Sequence, residues 1–191
     1  MFEEGFPLYL NKELHTVLSY LSTKTYANIS NGYIDTPTNE QMELFDGSEI
    51  QFPYRIYFLD EESSYEKLVS KEEQWIYHCI FTRSCNGYVR EAHLRAILEE
   101  DYPEWCMPYI FKLASEYVVE ILDVIYTVMK GKDNSLFQAF CQNNPYLFKC
   151  YYNRMISYWN EYYRNQCYKY HDYVGYKLYK ECFGYNIHSH S

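Results

Sequence analysis

Between Phe148 and Tyr163 a set of apolar side chains recurs at Phe148, Tyr151, Tyr152, Met155, Ile156, Trp159, Tyr162 and Tyr163. An α-helix turns once every ~3.6 residues, so these positions line one face. A strand would send them alternately to both sides. The spacing predicts the longest helix of the chain. Asn144-Pro145 marks its start, because proline suits the first helical turn. A helix of this kind is stabilised mainly by burying its apolar face, so the rest of the chain must supply a matching core.

Helical spacing recurs upstream. Leu10, Leu14, Val17, Leu18 and Leu21 predict a first helix over 8–23, followed by a polar stretch to Gln41 with turn signals at Asn31-Gly32 and Pro37. Asp46-Gly47 lies between two short runs, which predicts a β-hairpin near 42–52 with a type I′ turn. A third short strand is expected within 54–59. From residue 70 the chain reads as helical. Ser70 and Glu73 have capping-box spacing, as do Asp101 and Glu104. Asn86-Gly87 separates a helix carrying Trp75, Ile76, Cys79 and Ile80 from one carrying Val89, Ala92, His93, Ala96 and Ile97. A helix near 103–114, restarted at Pro108, leads into another that Gly131 stops. Residues 165–185 are tyrosine-rich, with Gly184 as their stop, and 186–191 form a polar tail.

These readings predict a mainly α fold with a small β-hairpin. The expected form is a single-domain helical bundle or short helical-repeat-like stack over 1–191, with its helical body at 70–185. The length of 191 residues fits one domain. With 48% apolar and 20% aromatic residues, the chain is too hydrophobic to be disordered. The start MFEEGFPLYL carries acid where a signal peptide needs base, and no apolar run approaches the ~18 residues of a membrane span. Seven cysteines without paired spacing suit small buried hydrophobes in a reducing compartment. A cytoplasmic location with no membrane partner is expected.

The net charge of −9 is uneven. Residues 1–144 hold 23 acids against 11 bases, a net −12, whereas 145–191 hold 3 acids against 6 bases, a net +3. Such asymmetry speaks of partners rather than fold. The acidic groups Asp60-Glu61-Glu62, Glu99-Glu100-Asp101 and the spaced set Glu116, Glu120 and Asp123 are the candidate contacts for a basic protein surface. Lys169, Tyr170, Tyr173 and Lys177 are the candidate nucleic-acid contacts, since tyrosines can stack on bases while lysines meet phosphates. The tyrosines after 166 are expected to be freer than those on the 148–163 stripe.

Motifs for chemistry are missing from the sequence. His78, Cys79, Cys85, His93 and Cys106 lack the close pairing of structural zinc ligands. His171-Asp172 is not followed by the further aspartate that HD phosphohydrolases need. No GxGxxG, Walker lysine or HExxH occurs. No catalytic residue, cofactor or metal is expected. A non-enzyme is favoured over an enzyme with a spatially assembled Cys/His or carboxylate site.

Two resemblances bear on this reading. NGYVREAHLRAIL (86–98) is similar to the second helix of HEAT-type repeats at Val89, Arg90, Ala92 and Ala96. FPYRIYFL (52–59), YVVEILDVIY (117–126), RMISYWNEYYR (154–164) and ECFGYN (181–186) resemble proteins of phages and other mobile elements. The short, acidic, aromatic-rich profile resembles that of their small inhibitors, including anti-CRISPR proteins. That resemblance implies a partner such as the basic nucleic-acid channel of a Cas-type nuclease, for example Cas9. Three functions follow in order of preference: a protein-binding inhibitor or adaptor, a nucleic-acid-binding accessory protein, and an enzyme.

Overall fold

The computed structural model describes residues 2–21, 33–36, 40–58 and 65–186. Its described residues are mainly α-helical: eight α-helices accompany two two-stranded antiparallel sheets. The chain divides into two compact units, 1–106 and 107–191.

In the first unit, α1 (Asn11–Tyr20) follows a 3₁₀ turn at Leu8–Leu10. Leu14 and Val17 within it and Leu10 and Leu21 at its ends are buried, four of the five stripe residues. The expected hairpin pairs β2 (Met42–Glu43) with β3 (Glu49–Ile50), while β1 (Tyr33–Thr36) pairs with β4 (Arg55–Phe58). The turn between β2 and β3 differs from the predicted type I′. Gly47 N–H donates to Leu44 O (3.0 Å), and Leu44 N–H donates to Ser48 O (2.8 Å). This is a three-residue loop in which glycine takes the left-handed position, φ 79°. Asp46 Oδ1 accepts from Ser48 N–H (2.9 Å) and Ser48 Oγ–H (2.6 Å), which holds the loop in that form. β1 lies in the stretch read as polar loop. Its register, Tyr33 opposite Phe58 through Thr36 opposite Arg55, is a non-local pairing.

The capping box of α2 (Lys71–Phe81) is formed: Glu73 N–H donates to Ser70 Oγ (3.1 Å) and Ser70 N–H to Glu73 Oε2 (3.3 Å). Asn86 Oδ1 caps α3 (Gly87–Leu98) through Tyr88 N–H. The buried face of α3 shares only Ile97 with the expected one. It consists of Arg90, Leu94, Ile97 and Leu98, while Val89, His93 and Ala96 are half-buried and Ala92 is exposed. Arg90 turns the helix, because its guanidinium donates to Ser84 O (2.9 Å) and Cys85 O (3.0 Å) and so satisfies carbonyls beyond the end of α2. β4 reaches the same loop through Ile56 N–H to Arg83 O and Cys85 N–H to Ile56 O.

The second unit is built on α4 (Met107–Leu113), every residue of which is buried. A 3₁₀ turn at Glu104–Cys106 precedes α4, so Asp101 and Glu104 do not open the helix as expected. Around α4 the chain places α5 (Val119–Met129), α6 (Ser135–Asn143), α7 (Pro145–Tyr158) and α8 (Val174–Lys177). Phe111 is the centre of an aromatic core, with ring centroids at 4.9 Å from Tyr151, 5.8 Å from Phe140 and from Phe148, 6.1 Å from Phe183 and 6.5 Å from Phe137. Lys112 is 1% exposed, with its ammonium 4.8 Å from the Tyr151 ring centroid.

The stripe of α7 is buried through Met155. At Trp159–Tyr163 the helix widens to π spacing, and Tyr162 emerges 56% exposed. A second π segment, Leu178–Cys182, continues α8. α8 approaches closely at Gly175, where a Cβ would stand 2.6 Å from Tyr173 Cε1 and 2.8 Å from Met155 Cγ and Sδ. Gly175→Ala is therefore expected to destabilise the protein by about 1–3 kcal/mol, the usual range for overpacking. Urea denaturation at neutral pH measures it, and an unchanged midpoint would show that Met155 and Tyr173 move aside freely.

Candidate partner-binding surfaces

The unit boundary reorganises the charge. Residues 1–106 hold 19 acids and 8 bases, a net −11, and 107–191 hold 7 acids and 9 bases, a net +2. Arg83 and Arg90 are 0% and 1% exposed, so two of the first unit's eight bases are withdrawn from its surface. The face that unit offers to solvent is more acidic than its sequence.

The candidate acids occupy different settings. Glu99, Glu100 and Asp101 are exposed at the end of α3 in the first unit, and Glu100 pairs with Lys71 at 2.5 Å. Glu120 and Asp123 are exposed on α5 in the second unit. Glu116 does not join them: it precedes α5 and is 4% exposed. Asp60, Glu61 and Glu62 lie outside the described residues.

The acids of α5 adjoin a group of tyrosines that the sequence reading did not assemble. The rings of Tyr117, Tyr158 and Tyr162 form a triangle with centroid separations of 5.9, 6.2 and 6.1 Å. Tyr117 is 49% exposed and Tyr158 half-buried. Tyr163 holds the arrangement together. Its hydroxyl donates to Tyr117 O (2.5 Å) and accepts from Val119 N–H (3.3 Å). That N–H opens α5, where Val118 supplies no side-chain cap, so Tyr163 satisfies from a distance one of the donors every helix start leaves open. Burial pushes the Tyr163 hydroxyl pKa up, and Glu120 adds to the shift. Asp123 is raised by burial and then by Glu120, while Tyr173 feels Asp123. Glu120 therefore lies near Tyr163, whose hydroxyl holds Tyr117, and Asp123 lies near Tyr173, whose ring stacks on Tyr163 at 5.7 Å. The register of the triangle depends on the π segment, a distortion that recurs at functional sites.

The tyrosines after 166 correct an expectation. Tyr173 is 3% exposed and Tyr179 0%, so neither ring face is open to a base. Tyr170 is half-buried and packs on Trp159 (4.9 Å) and Tyr176 (5.0 Å). Tyr168 is free at 77% exposure, as are the exposed Lys169 and the half-buried Lys177 at the end of α8. Stacking by Tyr173 is closed off by its burial, while Tyr170 stays half-buried.

The His and Cys residues meet in pairs. His78 Nδ1 and His93 Nδ1 are 2.8 Å apart, and the Cys79 and Cys106 sulfurs are 3.7 Å apart in the core. Among the described residues no group of three or more His, Cys, Asp or Glu is placed to hold a metal ion. None of the described helices is long and apolar enough to cross a membrane. Compared with protein-family models, curated proteins and solved structures, the chain matches none.

Proposed function

We propose that this protein is a non-enzymatic, acidic protein-binding inhibitor or adaptor. The observation that carries the reading is the triangle of Tyr117, Tyr158 and Tyr162, two of them exposed, on the same unit as the exposed α5 acids Glu120 and Asp123. Tyrosines give large contact area at low entropy cost and are enriched among residues that dominate binding energy. Carboxylates on the same unit favour a positively charged partner and speed its approach. The partner class is a basic nucleic-acid-binding groove of a protein, as in a Cas-type nuclease. The acids would stand where phosphates otherwise bind.

The test is affinity capture from a bacterial lysate with three immobilised proteins: wild type, Tyr117→Ala with Tyr162→Ala, and Glu120→Lys with Asp123→Lys. The expected result is a nucleic-acid-binding protein retained by wild type, lost from both variants and released by added nucleic acid. Equal recovery on all three, or retention that nucleic acid leaves unaltered, would contradict the reading.

A further inference from the structure

The first unit carries a concave feature of its own. The 3₁₀ turn Glu3–Gly5 and the strand end Glu49–Gln51 lie side by side, joined where Gln51 N–H donates to Glu4 O (2.7 Å). Between them is an open groove of 430 Å³, within the range of sites that accept ligands. Phe6 and Ile50, 3% and 2% exposed, belong to its lining, and Leu8, 80% exposed, offers apolar surface with little covering it. Three carboxylates share this lining: Glu3, Glu4 and Glu49. Glu3 stands 3.8 Å from His15, a long and exposed contact. Among the described residues, Glu4 and Glu49 have no ion-pair partner.

A groove of this composition is matched by a ligand with cationic and apolar groups in alternation. We infer that it takes a basic segment of a partner protein, in extended form, with lysine or arginine side chains against Glu4 and Glu49 and an apolar neighbour against Leu8. A partner segment fits better than a small amine. The exposed Leu8 beside the carboxylates offers apolar surface that a segment with an apolar side chain would cover and a small amine would not. The unit's net −11 favours the same sign of partner over a long range. This inference rests on the reading that the partner is basic, and is independent of the tyrosine triangle.

The probe is the peptide acetyl-Arg-Leu-Arg-Leu-amide, titrated into the full-length ¹⁵N-labelled protein and followed by NMR. Acetyl-Glu-Leu-Glu-Leu-amide is the control. The expected result is saturable shifts at the amides of Ser48, Ile50 and Gln51 with the basic peptide and none with the acidic one. The affinity falls at least about tenfold in Glu4→Gln with Glu49→Gln, exposed substitutions that keep side-chain volume. Tyr162→Ala leaves it unchanged. Shifts scattered over the surface, equal response to both peptides, or undiminished affinity in the double variant would overturn the inference. Failure of the tyrosine surface appears instead in the capture experiment, which the peptide does not enter.

Discussion

Acidification from pH 7.5 to pH 5 is expected to remove on the order of 4 kcal/mol of stability from the helices that carry His78 and His93. The two imidazoles meet at 2.8 Å between α2 and α3, with the Phe81 ring stacked on His93 at 4.9 Å and Tyr77 beside both. One Nδ1 donates and the other accepts, so the two rings cannot both be protonated while this contact holds. Burial, then Lys71, lowers His78 to about 4, with Glu100 opposing. Burial, then His78 itself, lowers His93 to about 3. An unfolded chain binds protons on both rings from ~pH 6.5 downward. Between that value and the folded values the unfolded state holds more protons, so stability is lost as the pH is lowered. At pH 5 each histidine contributes about 2 kcal/mol of the loss. Hydrogen exchange of the α2 and α3 amides, measured at a series of pH values, reads the slope. His93→Gln should reduce it by about half. A flat profile in wild type between pH 7 and 5 would show that the pair titrates normally.

Phe111→Ala is expected to cost about 4 kcal/mol, at the upper end for removal of a buried aromatic. The ring is 0% exposed and meets five others from α6, α7 and the segment after α8. Edge-to-face pairs add to the area they bury, and stiff aromatic neighbours collapse poorly into the space left behind. Phe111→Leu should lose less, since it leaves a smaller void. Urea denaturation monitored by far-ultraviolet circular dichroism measures both. A loss below about 1 kcal/mol for alanine would mean that the surrounding rings close the gap.

The sequence displayed local features well. Ser70 and Glu73 cap α2 as their spacing indicates, Asn86 opens α3, and Gly131 and Gly184 stop their elements at φ 75° and 70°. The stripe of α7 is correct as far as the helix keeps its period. Periodicity does not reveal the π segment, which carries Tyr162 from the expected core face to solvent. The pairing of β1 with β4 was hidden because its partners lie about twenty residues apart and alternate weakly. The face of α3 was misread for a chemical reason: Arg90 looks like a solvent residue, yet it is buried to satisfy Ser84 and Cys85 carbonyls.

The candidate site was legible in part. Glu120 and Asp123 stand on the surface as expected, whereas Glu116 is buried just before the helix begins. Tyr117 and Tyr158 come together through tertiary packing, and no spacing rule links residues so far apart. The charge asymmetry was visible in the sequence, and it persists, as −11 and +2, when the chain is divided at the unit boundary.

The central claim is that the tyrosine triangle with its α5 acids is the contact surface. The affinity of the purified captured partner for wild type and for Tyr117→Ala with Tyr162→Ala tests it most directly. Exposed side chains are being shortened, so folding is not at issue, and circular dichroism can confirm it. Aromatic anchors of this kind are worth about 2 kcal/mol each when truncated. The account predicts an affinity loss of at least about thirtyfold. Affinities equal within twofold would place the contact surface elsewhere and contradict the account.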